Sequence, residues 1–167
     1  MKCLNEIDAT EVGKYYIKSE ISRNSNDNSL NYIDTYGKEK TKDCVRELSC
    51  GRKNEVYTRI YCKKYVWKKC ELDSNEVKLS CVNSKVNECL EKAEFKLNCL
   101  SQLMKYNENL KDEFSDWGKE IVYNTLIGIE YNGKVRIIDG IHRAVILFNR
   151  GKREFYCYTG FQKSKTI

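Results

Sequence analysis

The sequence predicts an α+β protein built as one domain, or as one domain with a smaller appendage, and three observations carry that reading. Two apolar segments flank Asn132-Gly133 between Leu126 and Ile138, the pattern of a β-hairpin. A stripe of apolar residues recurs at helical spacing over roughly 84–106. The 167 residues suit a single core, since two full domains would each be small.

Composition narrows the class. With 41% hydrophobic residues, 12 Tyr and 2 Trp, the chain carries far more apolar and aromatic mass than a disordered tail. No apolar run approaches the ~20 residues of a membrane-spanning helix. The start, Met1-Lys2-Cys3-Leu4-Asn5-Glu6, turns acidic before an export-type apolar segment can form, so the expected compartment is the cytosol, with no membrane. There are 9 Cys and no Pro, and the cysteines, at 3, 44, 50, 62, 70, 81, 89, 99 and 157, include no Cys-x-x-Cys. That spacing speaks against a zinc ribbon or a thioredoxin-type centre; the first reading is reduced, mostly buried thiols, and the alternative is a disulfide-stapled secreted domain. The balance of 30 basic over 24 acidic residues, +6, is too small by itself to imply nucleic acid.

Taken in order, residues 1–83 read as a β-rich region. Val12 to Ile21 predicts a strand, and Ser22 to Ser29 is a polar loop. From Glu55 to Trp67 the pattern alternates: Val56, Thr58, Ile60, Cys62 and Val66 fall on one side, Tyr57, Arg59, Tyr61, Lys63, Tyr65 and Trp67 on the other. The second side interleaves rings with cations, and Arg59, Lys63, Lys64, Trp67, Lys68 and Lys69 form a candidate face for stacking bases and neutralising phosphates. The plainer alternative is a solvated sheet face whose long side chains cover aromatic rings.

Residues 84–167 form the second region. Behind a possible Ser84 cap, Val86, Cys89, Leu90, Ala93, Leu97, Leu100, Leu103 and Met104 predict one long amphipathic helix, its stripe a packing surface. After a polar stretch to Gly118 come a strand over Leu126–Tyr131, the Asn132-Gly133 turn and a strand over Val135–Ile138. Asp139-Gly140, a helix from His142 to Asn149, a stop at Gly151 and a strand over Glu154–Thr159 complete the chain.

Asp139-Gly140-Ile141-His142-Arg143 is the segment that carries chemistry. It lies where a buried strand meets the first turn of a helix, a place suited to an anion. Gly140 permits close backbone approach, and the helix amides and dipole attract phosphate. Arg143 offers a planar fork for two oxygens. His142, the single histidine, can donate a hydrogen bond and change its charge near neutral pH. Asp139 could hold a magnesium-bound water or orient His142 or Arg143. Each residue taken singly also fits a structural role.

At these residues the chain resembles the ParB/sulfiredoxin superfamily, whose signature is a strand ending in Asp-Gly or Gly-Gly, then x-His-Arg, then a helix of small apolar residues. The match reads Val135-Arg136-Ile137-Ile138-Asp139-Gly140-Ile141-His142-Arg143-Ala144-Val145 and covers about 40 residues, near 120–162. The resemblance implies a compact mixed sheet with packed helices and a loop that grips the phosphates of ATP or CTP with Mg²⁺, Gly140, His142 and Arg143 touching phosphate and Ile141 lining the site. Asp139 and His142 are then the candidate catalytic groups, and Asp139 the candidate metal ligand. A sulfiredoxin-type reductase needs a cysteine before His-Arg, and Ile141 has no nucleophilic atom. A kinase-like member needs a carboxylate base, for which Asp139 and Glu130 are nearest in sequence.

Three expectations follow. The first is a nucleotide-binding protein that transfers a phosphoryl group to a small acceptor or hydrolyses the nucleotide. The second is a non-enzymatic DNA-associated protein gated by nucleotide through the Arg52–Lys69 face. The third is a domain that keeps the fold without the ligand.

Overall fold

The computed structural model describes residues 1–22, 28–49, 54–79, 95–96 and 123–163. Among them the order is β1 (Lys2–Ile7), α1 (Ala9–Ile21), a 3-10 helix (Asn28–Thr35), α2 (Lys38–Leu48), α3 (Asn54–Ile60), β2 (Tyr65–Asp73), β3 (Val77–Leu79) and β4 (Phe95–Lys96). Then come β5 (Leu126–Tyr131), β6 (Lys134–Asp139), a helix over Ile141–Asn149, here α4, and β7 (Glu154–Gln162). This is the mixed α+β class that the sequence predicts. The strands form one seven-stranded sheet in the order β1-β2-β7-β5-β6-β3-β4.

The chain divides into two compact units at Asn5/Glu6, Lys68/Lys69 and Thr159/Gly160. In Met1–Asn5 with Lys69–Thr159, β6 pairs antiparallel with β5 and parallel with β3, and β3 pairs antiparallel with β4. The hairpin turns on Asn132 and Gly133, both at positive φ (50° and 74°), which matches the right-handed twist of its strands. The Oε1 of Glu130 accepts the Gly133 amide at 2.8 Å and fastens the turn. Val135 and Ile137 of β6, Val77 and Leu79 of β3, Cys70 and Leu72 of β2, and Phe155 and Cys157 of β7 are buried, as are Ala144 and Val145 of α4.

The other unit, Glu6–Lys68 with Gly160–Ile167, is mainly helical, which corrects the β-rich expectation for 1–83. Val12–Ile21 is helix α1. Val12, Tyr16 and Ile17 recur at three- to four-residue steps and are buried, and Asp8 caps the helix by accepting the Thr10 amide at 2.7 Å. Hydrogen bonds from the Thr10 side chain and then its amide hold the Asp8 carboxyl below its ordinary pKa. Residues 54–60 are helix α3 because Val56 and Ile60, four apart, serve a helical face as well as a strand face. Of the helix expected over 84–106, Phe95–Lys96 is strand β4, its Cα partners Leu79 and Lys78, so a continuous helix does not run through it. The extended ladder supplies these two residues with their hydrogen bonds. The rest of that span lies outside the described residues.

Cys3 of β1 and Cys70 of β2 form a disulfide, which departs from the first reading of reduced thiols at this pair. Neighbouring strands bring together cysteines 67 residues apart, a pairing no local spacing announces. Cys44 and Cys62 are half-buried thiols, and Cys157 is buried, its pKa pushed up to about 12 by loss of solvent. The thiolate is the reactive form, so Cys157 is protected at physiological pH. In pulse alkylation read by mass spectrometry, Cys44 and Cys62 should label in the native protein. Cys157 should label only after denaturant is added.

Gly13 sets how closely α1 and α2 approach. A Cβ built there would stand 2.4 Å from the Tyr61 hydroxyl, 2.9 Å from Thr41 Cγ2 and 3.3 Å from Val45 Cγ2. The Tyr61 hydroxyl is buried and has no hydrogen-bond partner, and burial raises its pKa. Gly13→Ala should therefore cost about 1–3 kcal/mol in urea unfolding. Tyr61→Phe alone should be neutral or stabilising, and combined with Gly13→Ala it should restore much of the loss.

Candidate functional site

Local chain stiffness builds the 139–143 segment. Strand β6 runs to Asp139, and Gly140 then adopts φ 90°, ψ 19°, a left-handed conformation that ends the strand and points the chain into α4. The first helical hydrogen bond runs from the Ala144 amide to the Gly140 carbonyl at 2.9 Å. The amides of Ile141, His142 and Arg143 thus belong to the first turn, whose N–H groups have no carbonyl one turn back. Gly140 has no side chain to cap them, and the first turn contains no acidic residue. The positive end of the helix dipole is uncompensated by this helix's own side chains.

Arg143 does something the sequence reading did not foresee. Its Nη2 donates to Asp139 Oδ2 at 2.6 Å and its Nη1 to the Tyr123 carbonyl at 2.9 Å. The two residues are 3% and 8% exposed, so this is a buried ion pair one helical turn long. A Cβ on Gly140 would lie 2.9 Å from Nη2, 3.1 Å from Nε and 3.0 Å from Leu126 Cδ2. The guanidinium fills the space that any other residue at 140 would claim. The fork that the resemblance assigns to phosphate is spent inside the protein, holding the turn.

The remaining candidates are placed as follows. Ile141 and His142 are half-buried in the first turn, and the Nε2 of His142 is buried. Asp139 directs its Oδ2 to Arg143, and among the described residues no three His, Cys, Asp or Glu side chains gather as a metal site. Glu130 pairs with Val135 in the hairpin register while Asp139 pairs with Ile127, so the two carboxylates sit near opposite ends of the hairpin. They do not form a catalytic pair. The carbonyl of Tyr123 is the contact that sequence reasoning missed, since a backbone acceptor leaves no residue signature.

The candidate nucleic-acid face over 52–69 is not one strand face. Arg59 belongs to α3 and donates from Nη1 to the Tyr65 hydroxyl at 2.9 Å, and Lys63 and Lys64 are exposed in the turn before β2. Trp67 is 2% exposed, its Nε1 donating to the Ile60 carbonyl at 3.0 Å, so it cannot stack a base. Lys68 lies over the Phe161 ring at 5.8 Å and Lys69 over the Tyr156 ring at 5.5 Å. These two lysines follow the plainer reading, in which long side chains cover rings. Arg52 and Lys53 lie outside the described residues.

No protein-family model, curated protein or solved structure matches this chain.

Removing one partner of a buried ion pair strands the other without compensation. Arg143→Met should lower stability by about 3–5 kcal/mol in denaturant unfolding. Arg143→Met combined with Asp139→Leu should recover most of that loss, because both buried charges are then gone. A single-variant cost below about 1 kcal/mol would show that the pair does not hold the turn.

Proposed function

We propose that the chain binds a nucleotide, ATP or CTP presented with Mg²⁺, and that phosphate oxygens seat on the first-turn amides of α4. The observation that carries this reading is the start of α4 at a left-handed glycine, with no capping side chain and no acid in its first turn, directly after a buried strand end. Backbone N–H groups and a dipole so arranged favour a phosphate. The reading also rests on the resemblance of Asp139-Gly140-Ile141-His142-Arg143 to the ParB/sulfiredoxin superfamily, and the local order is β6, turn, α4, β7.

In this reading the backbone of Ile141 and His142 contacts the anion, and the His142 imidazole adds a titratable neighbour. Asp139 and Arg143 act on the ligand indirectly, by fixing the turn. In this reading Asp139 Oδ2 is engaged by Arg143 and the magnesium ion arrives with the nucleotide. Phosphoryl transfer to a small acceptor, or hydrolysis, is the proposed consequence of binding. Among the described residues no helix is long and apolar enough to cross a membrane. The cytosol remains the proposed location, and the Cys3–Cys70 bridge tests it directly: protein alkylated during lysis should show whether that pair is oxidised in cells.

A thermal-shift panel of ATP, CTP, GTP and UTP with Mg²⁺ tests the binding. At about 100-fold excess over Kd, a true ligand should raise Tm by about 5–10 °C for a chain of this size. Ile141→Glu places an acid in the first turn, where it favours the helix dipole and repels phosphate. It should therefore keep or raise the Tm of the unliganded protein while abolishing the nucleotide shift, and His142→Ala should reduce that shift. If no nucleotide stabilises the wild type, the chain is a domain without this ligand. Chromatography of a binding nucleotide after incubation, with and without small hydroxyl acceptors, separates hydrolysis from transfer.

A further inference from the structure

An edge strand keeps backbone donors and acceptors that no neighbouring strand satisfies, and β1 stands at an edge of the described sheet. Among the described strands its one neighbour is β2, so the N–H and C=O groups of every second residue along Lys2–Ile7 point away from the sheet. Lys2, Leu4, Asn5 and Glu6 are exposed, and Cys3 and Ile7 are half-buried. Leu4, in the middle of the strand, is a large apolar side chain 49% exposed. The Cys3–Cys70 bridge ties β1 to β2, so this edge is held in strand form before any partner arrives.

Proteins stop such an edge from pairing with other chains by proline, by a bulge, or by charges that repel a second copy. This chain has no proline. The charges on β1 are Lys2 and Glu6, opposite in sign and placed symmetrically about Leu4. Neither has an ion-pair partner among the described residues. Side chains alternate along a strand, so Lys2, Leu4 and Glu6 share one face. When two copies of β1 run antiparallel with Leu4 opposite Leu4, Lys2 of each is opposite Glu6 of the other, and Cys3 is opposite Asn5. A shift of two residues either way sets a charge opposite Leu4, and a shift of one sets Lys2 opposite Asn5 or Ile7. Parallel pairing in register sets Lys2 beside Lys2 and Glu6 beside Glu6, which is unfavourable. The two charges therefore select one direction and one register.

We propose that β1 is a self-recognition edge, and that two copies of this chain associate by antiparallel β1–β1 pairing centred on Leu4. The outward backbone groups form the ladder, two Lys2–Glu6 pairs fix the register, and the opposed Leu4 side chains leave water together. A twofold axis passes between the two leucines, so the contact is isologous. Pairing uses up this edge on both copies, and association through it closes at a dimer. One strand buries little area, which makes the dimer weak and reversible. The contact does not use the first turn of α4, so it stands or falls independently of nucleotide binding there.

Sedimentation velocity of the full chain, carrying no tag before Met1, at loadings from about 5 to about 500 μM tests the proposal. The wild type should pass from monomer towards dimer as concentration rises. Lys2→Glu alone, or Glu6→Lys alone, sets like charges opposite each other at two places in the dimer and should weaken it about tenfold or more. Both positions are exposed, so each variant should keep the wild-type circular dichroism spectrum and Tm, which separates lost contact from lost fold. An equimolar mixture of the two single variants should recover dimer, because every acid of one then faces a base of the other. The double variant, Lys2→Glu with Glu6→Lys, should dimerise by itself about as well as the wild type. The proposal is overturned if the wild type stays monomeric at about 500 μM. It is equally overturned if the single variants dimerise as tightly as the wild type, which would place the contact elsewhere, or if their mixture stays monomeric.

Discussion

One buried ion pair, Arg143 with Asp139 across the bare α-carbon of Gly140, ties the end of strand β6 to the start of helix α4. The three residues act as a unit. The glycine supplies both the left-handed turn and the space, the arginine fills that space, and the aspartate with the Tyr123 carbonyl satisfies the fork. Without the pair, the turn would hold a buried charge with nothing opposite it. With the pair in place, α4 starts at a fixed position, and Arg143, Ala144, Val145 and Ile146 are carried into the interior together. The same geometry moves the recognition burden from a side chain to the backbone. A residue type associated with gripping phosphate here shapes the loop that would do so.

Much of the last quarter was legible from sequence because its signals are local. Asn132-Gly133 demands positive φ at two successive positions, and few structures other than a tight hairpin use that. Gly140 and Gly151 bracket a nine-residue helix, and both take positive φ. The direction of Arg143 was not legible. Whether a guanidinium turns inward or outward depends on Tyr123 and Leu126, and no sequence pattern encodes that the carbonyl of one and the methyl group of the other would be waiting.

The first half was misread for a different physical reason. Val12, Tyr15, Tyr16, Ile17 and Ile21 are β-branched or aromatic residues, good strand formers taken alone, yet Val12, Tyr16 and Ile17 also share one helical face. Tertiary packing decided between the two, with Gly13 allowing α2 to come close. In β2, strict alternation fails around Lys68 and Lys69, since Trp67, Cys70 and Leu72 are all buried. An irregular strand reverses the assumed faces, which is how Trp67 came to be expected outside. The juxtaposition of Lys78 and Arg136 was hidden because they are 58 residues apart by their numbers and become neighbours only through a parallel pairing.

Strand order has a consequence for how the molecule comes into being. Strand β7, the last of the described strands in the chain, lies between β2 and β5, and β1, the first, waits at the edge beside β2. During synthesis the hairpin of β5 and β6 can close as soon as it emerges, because its partners are adjacent. The sheet as a whole cannot, since the strand that joins β2 to the hairpin is made after both. Such non-local closure is slow and leaves strand edges bare in the interim. The newborn chain must therefore carry two partial sheets with open edges until residues 154–162 arrive, an interval in which a chaperone's protection matters most.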